Sequence, residues 1–202
     1  MNYTDKILSR SSHKSIATRS GGVSIFLMLF LISLYFYLDG KALFDYSFIV
    51  PLSLLVLVGL YDDINNIDYK LKFIFQIIAA KIIIDNGLII DNLHGLLGIY
   101  EINRFIAHII TMLITVAIIN SINFIDGIDG LAVTIVSMFI ILFEFLSITY
   151  TPFILLNMIL LGSFIPLLIF NFKNKNKVFL GDSGSYFLGG IVSIYVLHIF
   201  SN

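Results

Sequence analysis

The residues best able to do chemistry in this sequence are Asp62 and Asp63, Asp126 with Asp129, and Asp182. Each stands among amides, glycines or lysines. Asp62-Asp63 continues through Ile64-Asn65-Asn66-Ile67-Asp68 to Lys70, Lys72 and Gln76, Asp126 and Asp129 lie in the run from Asn120 to Gly130, and Asp182 lies in Phe179-Leu180-Gly181-Asp182-Ser183-Gly184-Ser185. Carboxylates beside lysines and glycines suit a hard divalent cation that in turn holds phosphate. Mg²⁺ takes one or two carboxylates and completes its shell with phosphate oxygens and water. Both glycine-bearing runs precede predicted helices, where free backbone N–H groups would cradle a diphosphate. Singly, these residues also have plain readings. Asp129 and Ser185 read as helix caps, Asp62-Asp63 as a solvated helix end, and Lys173, Lys175 and Lys177 as determinants of membrane orientation. His13, His94, His108 and His198 have no spaced partner and support no metal site. Lys81 and Glu144 fall inside helices, where ionisable groups are costly and either function, pair or snorkel.

The elements that must position these residues are membrane helices. Of 202 residues, 58% are apolar and 12% charged, with a mean hydropathy of +0.99. A soluble domain carries about 25% charge, so this composition belongs in a bilayer. The net charge of −1 offers no grip on nucleic acid, and the absence of cysteine excludes disulfides and thiolate chemistry. Apolar stretches long enough to span predict seven helices, near 22–38, 47–61, 73–90, 104–119, 131–148, 153–170 and 186–200, forming one all-α polytopic bundle over residues 1–202. Pro51 and Pro166 fall inside two of them, as membrane helices tolerate. The alternating, glycine-containing segment 91–103 predicts a small extracytoplasmic hairpin.

Basic residues set the orientation. With the amino terminus inside, the inner loops hold Lys6, Arg10, Lys14, Arg19, Lys70, Lys72, Lys173, Lys175 and Lys177, and the outer loops only Lys41 and Arg104. An even number of helices separates the basic segment ending in Arg19-Ser20-Gly21-Gly22 from Asp62, Asp62 from Asp126, and Asp126 from Asp182. All four motifs therefore open onto one face, expected to be cytoplasmic, as independent helix capping would not arrange.

At these residues the chain resembles the polyprenyl-phosphate N-acetylhexosamine-1-phosphate transferases, glycosyltransferase family 4. That family includes the phospho-N-acetylmuramoyl-pentapeptide transferases and the enzymes that start O-antigen, enterobacterial common antigen and teichoic acid linkage units. Arg10-Ser11-Ser12-His13 with Arg19-Ser20-Gly21-Gly22 resembles its first cytoplasmic motif, Asp62-Asp63 with Lys72 and Gln76 the second, Asn120 through Ala132 the third and Phe179 through Gly190 the fourth. The resemblance implies Asp182 as the Mg²⁺ ligand, with Mn²⁺ as an alternative. It places Asp62 and Asp63 near the metal and lipid phosphate, Asn123 and Asp126 at the metal shell or the nucleotide diphosphate, and Lys72 on a phosphate. Asp129, Gly181 and Ser183 complete the expected substrate contacts. Ile125, where muropeptide-specific members usually carry Thr, favours the branch using simple UDP-N-acetylhexosamines.

The implied activity is transfer of a sugar 1-phosphate from a UDP-sugar to undecaprenyl or another polyprenyl phosphate, releasing UMP, in the cytoplasmic (inner) membrane. Rival readings are an intramembrane prenyltransferase, suggested by the Asp-rich run from Asp62, and an inactive paralogue or scaffold. Family members are longer and carry a His-bearing loop with no counterpart before Asn202. The chain by itself is accordingly expected to bind Mg²⁺ and lipid phosphate but turn over poorly, with its last helix short of neighbours that a homo-oligomer or partner chain would supply.

Overall fold

The computed structural model describes residues 4–5, 17–96, 98–147, 151–173 and 175–201; the Arg10-Ser11-Ser12-His13 part of the first motif lies outside them. The described residues form seven α-helices: α1 (Gly21–Leu38), α2 (Ile49–Asn65, entered through a 3-10 turn at Tyr46–Phe48), α3 (Tyr69–Asp85), α4 (Arg104–Ile125), α5 (Leu131–Leu146), α6 (Ile154–Asn171) and α7 (Gly181–Phe200). Among the described residues, five spans are long and apolar enough to cross a membrane: α1, α2 with its 3-10 turn, α4, α6 and α7. The 16 residues of α5 reach about 24 Å, short of a hydrocarbon core of about 30 Å. In α3, Lys70, Lys72, Lys81 and Asp85 interrupt the apolar face, and Lys81 pairs with Asp85 one turn on. Large apolar side chains face outward around the bundle, among them Leu31, Phe105 and Phe145. Only a lipid environment accommodates so much exposed apolar surface, and the chain is an all-α polytopic membrane protein.

The last helix is the hub. Of its span 78% is buried, against 28–44% for the other long spans, and it packs against α1, α2, α4 and α5. This overturns the expectation that the last helix lacks neighbours, because the chain threads it through the middle. Small residues make that possible. A Cβ on Gly22 of α1 would lie 2.1 Å from the Gly184 backbone of α7, and one on Gly59 of α2 would lie 2.4 Å from Ser183. Farther along, Phe187, Leu188, Ile191, Ile194 and Tyr195 fill the core with Leu52, Ile83, Ile140, Leu160 and Phe164.

Three short strands lie at the end of the bundle that carries the motifs, hereafter the motif end: β1 (Thr4–Asp5), β2 (Ala17–Thr18) and β5 (Lys177–Val178). β1 runs antiparallel to β2, and β2 parallel to β5 with Ala17 opposite Lys177. The pairing continues as Phe179 N–H donates to Thr18 O (2.8 Å), Gly21 N–H to Phe179 O (3.0 Å) and Gly22 N–H to Leu180 O (2.8 Å). The segments entering α1 and α7 are thus held side by side. At the opposite end β3 (Asn92–Leu96) and β4 (Ile99–Glu101) form the expected antiparallel hairpin.

Helix boundaries depart from expectation where they matter most. α2 runs on to Asn65, stopped by Asn66 in the left-handed region at φ 50°. α4 runs on to Ile125, and α7 begins at Gly181 instead of 186. The motif residues therefore lie largely on final and first helical turns, because their polar groups find partners on neighbouring helices.

Candidate active site

The motif end brings Arg19, Asp62, Asp63, Lys72, Asn123, Asp126 and Asp182 together, although they come from five segments of chain. Asp63, on the last turn of α2, caps α7 across the bundle: Asp182 N–H donates to its Oδ1 (3.0 Å) and Ser183 N–H to its Oδ2 (3.1 Å). A carboxylate there meets the positive end of the helix dipole, which explains how α7 begins inside a Gly-Asp-Ser-Gly run with no cap of its own. Arg19 Nη1 stands 3.7 Å from Asp63 Oδ1. Gly181 has φ +78°, and a Cβ there would meet Asp63 and Arg19 at 2.9–3.2 Å.

The first amides of α7 already serve Asp63, and Gly181 and Ser183, expected as substrate contacts, are buried. They shape the carboxylates from behind.

Asp62 is 1% exposed. It forms an ion pair with Lys72 and accepts the Ile67 N–H at 3.0 Å. Lys72, expected on a phosphate, is thus held by Asp62 while its side chain remains 28% exposed. Asp182 lies against Asp62 and within the field of Asp63. Asn123 on α4 donates to Asp182 Oδ1 and to Ser185 Oγ, each at 2.8 Å, which orients the Asp182 carboxylate. One helical turn earlier, Asn120 donates to Gln76 Oε1 at 2.7 Å, tying α4 to α3. A groove of ≈ 600 Å³ lined by Lys72, Phe73, Ile74, Gln76 and Asn120 runs along these two helices.

Asp126 follows the last residue of α4. Burial first, then the negative charges of Asp182 and Asp63, push its carboxyl up to about 8, against the opposing pull of Arg19. Among the described residues the carboxylates here outnumber the basic partners, and that negative field fits a divalent cation. Among the described residues no three Asp, Glu or His side chains stand close enough to hold a metal by themselves.

Asp129 does not cap α5, whose N-cap is Gly130. It pairs with Lys177, which is 9% exposed. Lys177 is expected as an orientation determinant with Lys173 and Lys175; the folding of β5 against β2 sets it apart from them.

The sequence model of Glycosyl transferase family 4 matches residues 45–200. A probable undecaprenyl-phosphate N-acetylglucosaminyl 1-phosphate transferase of Bacillus subtilis is 30% identical over 96% of this chain and 54% of its own length. A decaprenyl-phosphate N-acetylglucosaminephosphotransferase of Mycobacterium leprae is 33% identical over 65% of this chain and 36% of its own. A phospho-N-acetylmuramoyl-pentapeptide-transferase of Chlamydia felis is 26% identical over 93% of this chain and 61% of its own. The chain spans about half the length of the first of these relatives. With the family's sequence model covering most of the chain and the four motifs meeting at one end of the bundle, the chain belongs to glycosyl transferase family 4.

Proposed function

We propose that the motif end carries the phosphate-handling part of a membrane transferase site facing the cytoplasm. It would move an N-acetylhexosamine 1-phosphate from a UDP-sugar to undecaprenyl or another polyprenyl phosphate. The lipid phosphate oxygen attacks the β-phosphorus of the UDP-sugar, the bond from that phosphorus to the bridging oxygen breaks, and UMP leaves as the sugar diphosphate lipid forms. The observation that carries this reading is the convergence of Asp62, Asp63, Asp126 and Asp182 with Lys72 and Arg19. The names of the two relatives at 30% and 33% identity favour an N-acetylglucosamine-type donor over a muropeptide.

Mg²⁺, or Mn²⁺ in its place, supplies charge neutralisation for the diphosphate and the departing UMP when bound. Asp182 is the proposed ligand, held in orientation by Asn123, with Asp126 beside it. Lys72 exchanges part of its contact with Asp62 for the lipid phosphate, whose chain lies along the groove between α3 and α4. Asp62 and Asp63 hold Lys72 and Arg19 where their charge meets phosphate. A phosphate monoester is largely ionised at neutral pH, so positioning and charge stabilisation do most of the work.

Purified protein in lipid, given Mg²⁺, undecaprenyl phosphate and a panel of UDP-sugars, should release UMP with at least one N-acetylhexosamine donor. A chain that binds Mn²⁺ and lipid phosphate yet releases no UMP with any donor would support the scaffold reading instead.

A further inference from the structure

We propose that Lys177 is a positioning residue of this site, and that its pair with Asp129 fixes where Asp126 faces Asp182. The activity arm of this inference rests on the transferase reading above; the structural arm does not. Asp126 sits between two residues that are both tied to the fourth motif. Asn123, three residues before it, donates to Asp182. Asp129, three residues after it, accepts from Lys177. The turn carrying Asp126 is therefore pinned at both ends to the segment leading into α7.

The Lys177 end of that brace is firm. Its strand β5 is registered against β2, and the hydrogen bonds beyond it continue to Leu180. The Lys177 Nζ also lies 5.1 Å from the Phe179 ring centroid. A buried ammonium is costly unless paired, so Lys177 holds Asp129 strongly in place. The turn itself has little slack, since Gly130 adopts φ +67° and a Cβ there would lie 2.7 Å from the Phe172 ring. The pair assigns Asp129 a structural partner in place of the substrate expected for it.

The test uses the full chain in lipid. Spin labels are placed singly at Ile128→Cys, in the turn, and at Leu96→Cys, in the far hairpin; both sites are exposed, and the chain has no cysteine of its own. Lys177→Met and Asp129→Asn should each mobilise the label at 128 while leaving that at 96 unchanged, and Lys177→Arg should keep the turn ordered. In the assay, Lys177→Met should lower turnover by about 10- to 100-fold, as expected for a residue acting through a ligand's support, with KM for the UDP-sugar little changed. The double variant should be no worse than either single one, the mark of a coupled pair. A label at 128 as ordered in Lys177→Met as in the parent overturns the proposal. So does a raised KM in Asp129→Asn with a normal Lys177→Met, which would make Asp129 a direct substrate ligand. If Lys177→Met disorders both labels, the exchanged pair Lys177→Asp with Asp129→Lys decides: restored order supports the brace, and a turn as mobile as in the single variant refutes it. A parent that releases no UMP defeats the transferase reading and leaves the label result standing.

Discussion

α7 carries a polar cluster near each end, and the two are built on opposite principles. Near the far end, Tyr195 donates to Asn157 Oδ1, and Asn157 Nδ2 (2.5 Å) and Thr151 donate to Glu144 Oε1. Phe143 and Phe153 close over the Tyr195 ring at centroid distances of 4.9 and 4.5 Å. The rings pack on Tyr195, and the hydrogen bonds fasten α5, α6 and α7. At the motif end, carboxylates outnumber bases among the described residues, Asp126 has its carboxyl pushed up to about 8, and a groove opens beside Lys72. A buried polar residue in a membrane helix is thus not in itself a site. Uncompensated charge beside open space is the distinguishing mark, and Glu144, conspicuous in the sequence, falls on the structural side of that division.

The comparison breaks most visibly at Asp182. Asp182→Asn preserves shape and the bond from Asn123 but removes a charged oxygen ligand, so UMP release should fall at least about 100-fold, whereas Glu144→Gln should leave turnover near that of the parent. Equal losses in the two variants, measured at saturating Mg²⁺, would erase the distinction. Lys72→Met should act next most strongly. It strands the buried Asp62 carboxylate, so unfolding stability should drop by about 3–5 kcal/mol, and KM for the lipid phosphate should rise more than KM for the UDP-sugar.

A subtler effect concerns pH. Asp126 holds its proton up to about 8, and a cation must displace that proton to gain from the charge. Apparent Mn²⁺ affinity should accordingly rise as pH increases from about 6 to about 8 and level off above, and Asp126→Asn should flatten the rise. The smallest expected change is Tyr195→Phe, which deletes one buried hydrogen bond worth about 1 kcal/mol. Tm should fall by about 2–4 °C with UMP release unchanged, showing that the far cluster holds helices together.

Much of this was legible in the sequence. Helix number follows from apolar length, and the meeting of the motifs follows from parity, since an even count of helices returns the chain to one end of the bundle. The hairpin at 91–103 followed from its alternation and glycines. What composition and spacing did not reveal was which residues satisfy one another across the bundle. Asp63 capping α7 is a contact between residues 119 positions apart. Without it, Gly181–Ser185 reads as a loop before a helix instead of the first turns of one. Lys177 was hidden for the same reason, because a lysine among lysines shows its partner only once β5 is folded against the turn at Asp129. The central place of α7 was likewise obscured, since order along the chain does not fix order in the bundle.

Mn²⁺ titration followed by electron paramagnetic resonance reads directly whether the motif end holds a divalent cation by a few carboxylates acting with a phosphate ligand. Parent protein in lipid should bind Mn²⁺ weakly alone and at least about tenfold more tightly with a UDP-sugar present, and Asp182→Asn should lose both modes. Mn²⁺ binding that is indifferent to the UDP-sugar, or undiminished in Asp182→Asn, would contradict the account.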